Sequence, residues 1–254
     1  MSSPISTPEE LSSSARHLSG RCWRVVEAQN KISTLKLTDT IAEQSTLELL
    51  IEETKPAIPP EAQHLNYLLS TPFRYDAPYP RGSRFRRSGM TPGVFYGAEH
   101  PHTAIAELCF YRLLFFSDSP STKWPADAGE DTAFAVDYAA RSIDLTVDPL
   151  SNRSALWTHV TDYDDCQSLA ELARTVNIDL IRYVSVRDPA NRKNIAILHP
   201  RAFAITEPNA RQTWRLFLGS QGARALCEMP VDAIDFDRQA FQADPRIAAM
   251  QWER

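Results

Sequence analysis

An α+β fold, with a mixed β-sheet core flanked by helices, is the class this chain points to, and three observations carry it. Short runs rich in β-branched and aromatic residues, among them Arg21–Val26, Val94–Ala98 and Leu180–Val186, have the length and period of strands. Residues 45–53, 104–116 and 166–176 carry apolar residues at helical spacing. The two kinds of segment do not alternate strictly, so a doubly wound parallel sheet is not implied.

Taken in order, the first twenty residues are rich in serine, contain Pro4 and Pro8, lack the apolar run of a secretory signal, and read as a disordered lead. Arg21–Val26 is the first strand-like run. A helix follows around Ser45–Glu53 and is ended by Pro56, Pro59 and Pro60, because proline lacks the amide donor and clashes inside a helix. A short helix is expected over 60–69. Residues 71–93 hold Pro72, Pro78, Pro80 and Pro92 with three glycines and read as a long loop of the kind that is usually functional. Val94–Ala98 alternates as a strand, and His100-Pro101 opens a helix, proline being tolerated in its first turn. After a polar connection, Ala133–Tyr138 and Ser142–Val147 read as two β segments, and Cys166–Val176 as a helix capped by Asp165. Leu180–Val186 and Asn194–Leu198, joined through Asp188-Pro189-Ala190-Asn191, form a hairpin-like pair. Ala202–Thr206 and Gln212–Phe217 are further strands, and the acidic tail after Pro230 is expected to pack loosely or not at all.

The 254 residues, 43% hydrophobic and 23% charged, support a full core. A net charge of -5 argues against general attraction to nucleic acid or anionic membrane, so any basic site must be local. The apolar run from Ala104 to Phe116 is broken by Glu107 and Arg112, which excludes a membrane span there. Cys22, Cys109, Cys166 and Cys227 show no CxxC spacing and read as reduced thiols of a cytoplasmic protein.

Chemistry concentrates between Gly82 and Glu107. On a helix, Glu107 shares its face with Thr103, Ala104, Phe110, Tyr111 and Leu114, none of them charged, so its carboxylate is expected to be partly withdrawn from water. Such a group needs a partner or a task. Arg112 or a backbone amide could satisfy it structurally; alternatively it acts on a ligand. Arg74, Arg81, Arg84, Arg86 and Arg87 face only Asp76 in the same loop, an excess that is either a solvated face or an anion site, and the loop's glycines could let backbone amides approach an anion. Tyr96 is either a core tyrosine or part of that site. Ser185 lacks a Gly-x-Ser-x-Gly setting and a nearby histidine, so nucleophilic hydrolysis has little support. His100 and His102 have no further ligand at a recognised spacing, and neither phosphate-loop nor dinucleotide glycine signatures occur.

Gly82-Ser83-Arg84-Phe85, Gly93-Val94-Phe95-Tyr96-Gly97-Ala98, Thr103-Ala104-Ile105-Ala106-Glu107 and Ile181-Arg182-Tyr183-Val184-Ser185-Val186-Arg187, with Asn194 following, together resemble the RES-domain family, whose members are toxins of bacterial toxin-antitoxin pairs. The resemblance implies an ADP-ribosyltransferase-like fold and NAD as substrate, with cleavage of the nicotinamide–ribose bond and passage of ADP-ribose to water, phosphate or a protein. It also implies a cognate antitoxin with an Xre-like DNA-binding domain, and no metal. On this pattern Arg84, Tyr96, Glu107 and Ser185 are the catalytic set, and Arg84, Arg86, Arg87, Tyr96, Ser185 and Asn194 bind NAD; Arg86 would fit a shorter interval to Tyr96 than Arg84 does. The implied division is a lead over 1–20, an N-terminal helical extension over 21–70, a catalytic domain over 71–220 and a C-terminal extension over 221–254. Two other readings stay open: a non-catalytic nucleotide-binding module, and an arginine-rich surface for an acidic partner.

Overall fold

The computed structural model describes residues 7–28, 37–74 and 81–254. In chain order these form α1 (Pro8–Ser14), β1 (Arg16–Glu27), α2 (Ile41–Thr54), α3 (Tyr67–Ser70), β2 (Phe95–Ala98), α4 (Pro101–Asp118), β3 (Gly129–Asp144), α5 (Ser154–Trp157), α6 (Asp164–Thr175), β4 (Leu180–Val184), β5 (Lys193–Ile197), β6 (Ala210–Gly219), β7 (Gly222–Cys227), β8 (Asp232–Asp237) and α7 (Pro245–Ala248). The class is α+β. No helix among the described residues is long and apolar enough to cross a membrane.

The eight strands form one mixed sheet in the order β1-β2-β5-β4-β3-β6-β7-β8, with β1 also paired to β3. The long β3 explains this arrangement. Along one edge it pairs antiparallel with β1 from Asp131 to Ser142. Its other edge is divided: residues 129–135 take β6 antiparallel, whereas Ser142–Asp144 take β4 in parallel. The sheet therefore splits between β6 and β4. β1 also touches β2 at Trp23↔Ala98, which brings β1, β2, β5, β4 and β3 into a ring.

Helix α4 begins as expected, with Pro101 in its first turn and the His100 ring accepting from the His102 amide. Nine of its residues are buried, and Ile105, Cys109, Phe110 and Leu113 pack with Trp214, Leu216, Phe236, Phe241, Ile247 and Met250. A second cluster lies between α6, α1 and β4, around Phe85, Leu169, Trp157 and Ile181. A third joins β1, β2 and β5 to α3.

Several expectations are corrected. Residues 7–20 are not a disordered lead: Thr7 caps α1, Leu11 is fully buried, and the backbone from Arg16 pairs with β3. Residues 1–6 of that lead, and Asp76, Pro78 and Pro80 of the long loop, lie outside the described residues. The region 21–70 is part strand and part helix, its expected second helix reduced to a 3-10 turn over Pro60–Ala62 and α3. The two β segments after Ala133 are one strand. Asp165 lies inside the first turn of α6, with Tyr163 in the capping position. Ala202–Thr206 is not a strand; Phe203 makes one isolated bridge to Tyr138. The acidic tail does not pack loosely, because Asp232-Ala-Ile-Asp-Phe-Asp alternates as a strand, and its apolar partners continue into Phe241, Ile247 and Met250.

Candidate active site

Glu107 lies on the face of α4 that looks into a cavity of about 560 Å³. Ala104, Leu108, Tyr111 and Leu114 share that face, as helical spacing requires. The carboxylate is half-buried and is held from one side only. Its Oε1 accepts from Ser185 Oγ at 2.7 Å and from Asn194 Nδ2 at 2.6 Å. Oε2 has no partner among the described residues. Arg112, the structural partner the sequence allowed, turns instead to Glu27 and Asp131.

The two donors come from the hairpin formed by β4 and β5. Asn194 sits on β5 between Ala98 of β2 and Tyr183 of β4, and it is buried. Its Oδ1 is buried with no partner among the described residues. Since a carboxylate oxygen takes Nδ2, the Asn194 acceptor is directed away from Glu107. Ser185 follows β4 and is fully buried; its Oγ also accepts from the amides of Arg187 at 3.2 Å and Asp188 at 3.1 Å. That hydroxyl is thus both the cap of a turn and a donor to Glu107.

Tyr96, on β2, lines the cavity, but its hydroxyl is committed: it accepts from the Phe85 amide at 2.9 Å and bonds Ser83 Oγ at 2.9 Å. It pins the turn that carries Arg84 and offers its ring to the cavity. Arg84 lines the cavity while largely buried. Its guanidinium donates to the carbonyls of Trp157 (2.8 Å) and His159 (3.0 Å) and lies over the Tyr163 ring at 4.7 Å.

Arg86 and Arg87 do not line the cavity. Arg86 donates to the Thr91 carbonyl and hydroxyl within its own loop. Arg87 reaches α6, to Gln167, Ser168 and Glu171. Arg74 binds the Pro56 carbonyl and Glu52. The loop's positive charge is therefore dispersed, and of its arginines only Arg81 and Arg84 reach the cavity. Its Gly93 serves a contact within the protein as well, since a Cβ there would lie 2.0 Å from the Pro72 carbonyl; on β2, a Cβ at Gly97 would lie 3.1 Å from Cys22 Sγ.

The remaining cationic wall comes from distant residues. Arg24 of β1 lies over Phe95 at 5.0 Å and donates to the Tyr96 carbonyl at 3.1 Å. An arginine inside the apolar Trp23–Val26 run was the available signal for it. Arg187 is buried over Phe110 at 3.7 Å and faces Asp244 at 3.1 Å. Arg246 of α7 completes the wall, and no local feature of the sequence marks it. Among the described residues, five guanidiniums thus line a cavity with one carboxylate, Glu107. Tyr163 and Tyr183 add aromatic surface; burial, with Glu107 nearby, holds the Tyr183 phenol protonated well above its ordinary range.

His100 and His102 are structural, the first a helix cap and the second bonded to Asp232 at 2.6 Å. All four cysteines are buried free thiols. Chemically, the cavity can hold an anion on its guanidiniums and present one fixed carboxylate to a centre that gains positive charge.

A family profile described as RES domain matches residues 58–219. A crystal structure of the M. tuberculosis MbcT–MbcA toxin–antitoxin complex is similar over 84% of this chain and 94% of that chain, at 11% identity and a TM-score of 0.45. Comparison with curated proteins returns no match.

Proposed function

The chain belongs to the RES domain family, and we propose that it is the toxin of a toxin–antitoxin pair, with an ADP-ribosyltransferase-like site that cleaves the nicotinamide–ribose bond of NAD. The observation that carries this reading is the Glu107 carboxylate, fixed through Oε1 by Ser185 and Asn194 while Oε2 has no partner among the described residues, in a cavity lined by guanidiniums. A volume of about 560 Å³ falls within the range of small-molecule sites, and the lining suits a dinucleotide: cations for the pyrophosphate and tyrosine rings for the base and ribose.

Breaking an N-glycosidic bond develops positive charge on the ribose, and a carboxylate already oriented lowers that barrier without reorganising. Glu107 takes this role, either beside the ribose or on one of its hydroxyls. Nicotinamide leaves from a cationic nitrogen as a neutral molecule, so no general acid is required. Arg84 and Arg24 bind phosphate oxygens, Tyr96 packs its ring against nicotinamide or ribose, and the free Asn194 Oδ1 accepts from a substrate N–H or O–H. Ser185 acts through Glu107 as a positioning residue. Water, phosphate or a protein then takes the ADP-ribosyl unit. The reading places the protein in the cytoplasm, where NAD is available, with an antitoxin carrying an Xre-like DNA-binding domain as its partner.

Purified protein mixed with NAD should release nicotinamide, and Glu107→Gln should abolish release while leaving the melting temperature near that of the parent. NAD that binds yet stays intact would replace this reading with the nucleotide-binding module. Labelled NAD in a cell lysate separates the acceptors: labelled macromolecules mean protein, ADP-ribose means water, and ADP-ribose phosphate means phosphate. Unopposed expression should arrest growth, and co-expression of a cognate antitoxin should restore it.

A further inference from the structure

One part of the cavity wall is built around one buried carboxylate that serves two arginines. Asp244 is fully buried at the start of α7. Its Oδ1 accepts from the Arg246 amide (3.0 Å) and Nε (2.9 Å), and its Oδ2 accepts from Arg246 Nη2 (2.7 Å) and faces Arg187 Nη2 at 3.1 Å. Arg187 is itself buried, with the same Nη2 donating to the Val160 carbonyl at 2.6 Å. Two guanidiniums against one carboxylate leave a net positive charge at the cavity surface. Nε and Nη1 of Arg187 and Nη1 of Arg246 have no protein partner among the described residues, although both side chains line the cavity.

This pair is also rigidly placed. Ser117 of α4 donates to the Arg246 carbonyl at 2.7 Å, Trp124 donates to the Trp252 carbonyl at 3.0 Å, and Arg254 donates to the carbonyls of Phe116 and Ser119. The segment bearing Arg246 is thus tied to the helix that bears Glu107. A guanidinium gripped along one edge by a carboxylate and free along the other is preorganised to meet a phosphoryl group, since its donors are fixed before the ligand arrives.

We propose that Arg246 is a phosphate-binding residue of the site, that Asp244 is the positioning residue which holds both Arg246 and Arg187 to the task, and that the C-terminal segment, lying beyond the family match at residue 219, completes the site. The ligand group is a phosphoryl oxygen, either of the dinucleotide pyrophosphate or of free phosphate, and the choice of a nucleotide rests on the NAD reading above.

The test compares the full chain with Arg246→Gln, Arg246→Lys and Asp244→Asn, using calorimetric titration with ADP-ribose and with inorganic phosphate beside nicotinamide release. Arg246→Gln, on a half-exposed side chain, should fold normally and bind ADP-ribose about tenfold more weakly, the loss of one charge-assisted bond. KM for NAD should rise by a similar factor with kcat within about threefold. Arg246→Lys keeps the charge but loses the fork and should fall between. Arg238→Gln serves as the control, because Arg238 bonds Ser220 and Glu253 away from the cavity and should leave both ligands unaffected. A loss confined to inorganic phosphate would assign the site to the free anion. Unchanged binding of both ligands by Arg246→Gln would overturn the proposal even if NAD is cleaved. If the parent neither binds ADP-ribose nor releases nicotinamide, the NAD reading fails, and the phosphate titration still decides whether this wall is an anion site.

Discussion

Replacing Ser185 by alanine should damage stability and chemistry together, for separate reasons. The hydroxyl is fully buried, accepts from the Arg187 and Asp188 amides at 3.2 and 3.1 Å, and donates to Glu107 at 2.7 Å. Alanine leaves two amides without an acceptor, and each unsatisfied buried donor costs about 1–3 kcal/mol. The combined loss of about 2–6 kcal/mol corresponds to a fall in Tm of about 4–24 °C for a chain of this size. Glu107 keeps its Asn194 donor but can rotate, so nicotinamide release should fall about 10- to 100-fold. Asn194→Ala is the discriminating partner. It removes the second donor to Glu107 and deletes a buried acceptor that had no partner, so release should fall comparably while Tm falls less. Both quantities are read by differential scanning calorimetry and by chromatography of released nicotinamide. A Ser185→Ala protein melting within about 1 °C of the parent would refute the reasoning that its hydroxyl caps the turn. An Asn194→Ala protein melting as low as Ser185→Ala would refute the division of roles.

Arg87→Gln should leave the affinity for ADP-ribose unchanged by calorimetry, because that side chain is spent on α6. Gly93→Ala should lower the urea midpoint by the equivalent of about 3 kcal/mol or more, since its Cβ would overlap the Pro72 carbonyl and backbone cannot yield cheaply. The folded protein should resist thiol alkylation at pH 8: all four cysteines are buried, and burial pushes Cys22 up to about 12, so labelling that precedes unfolding in mass spectrometry would contradict the packing. Burial pushes Asp144 up, but the Thr146 hydroxyl and amide and the Arg182 guanidinium outweigh it, leaving this carboxyl below its ordinary value. A lowered folded pKa gives stability that is full above the unfolded value near 3.9 and is lost as pH falls through the folded value, so Asp144→Asn should flatten the acid limb of the Tm profile below about pH 4.

Where local pattern and tertiary packing agree, the fold was legible from the chain. Pro101 behind His100 and the apolar run to Phe116 specify α4, and the turn through Asp188 to Asn191 specifies the β4–β5 pair; these elements bring Glu107, Ser185 and Asn194 together, the first singled out by its helix face and the other two only by the family resemblance. The errors lie where partners are distant. The serine-rich lead becomes α1 and the start of β1 because Leu11 and the β3 edge supply the burial that its composition lacks. The acidic tail becomes β8 because Ile234 and Phe236 face a core whose other side is α4. Neither partner is visible within a local window.

The loop's arginines are distributed by a different physical constraint. A loop without ladder partners must still satisfy its carbonyls, and a guanidinium with five donors does this efficiently. Arg74 serves Pro56 and Arg86 serves Thr91, so counting charge along the loop counted donors already committed to backbone. What makes a cation available to a ligand is an edge left free after its structural bonds are made. Arg246 has such an edge because Asp244, two residues earlier, occupies the opposite one, and Arg187 shares the same carboxylate from across the cavity wall. Two basic residues 59 apart in number, 187 and 246, are joined in one wall by an aspartate buried between them. Removing that aspartate's charge while keeping its shape, as Asp244→Asn does, should weaken ADP-ribose binding through both arginines at once, and a variant equal to the parent would show that each guanidinium is placed without it.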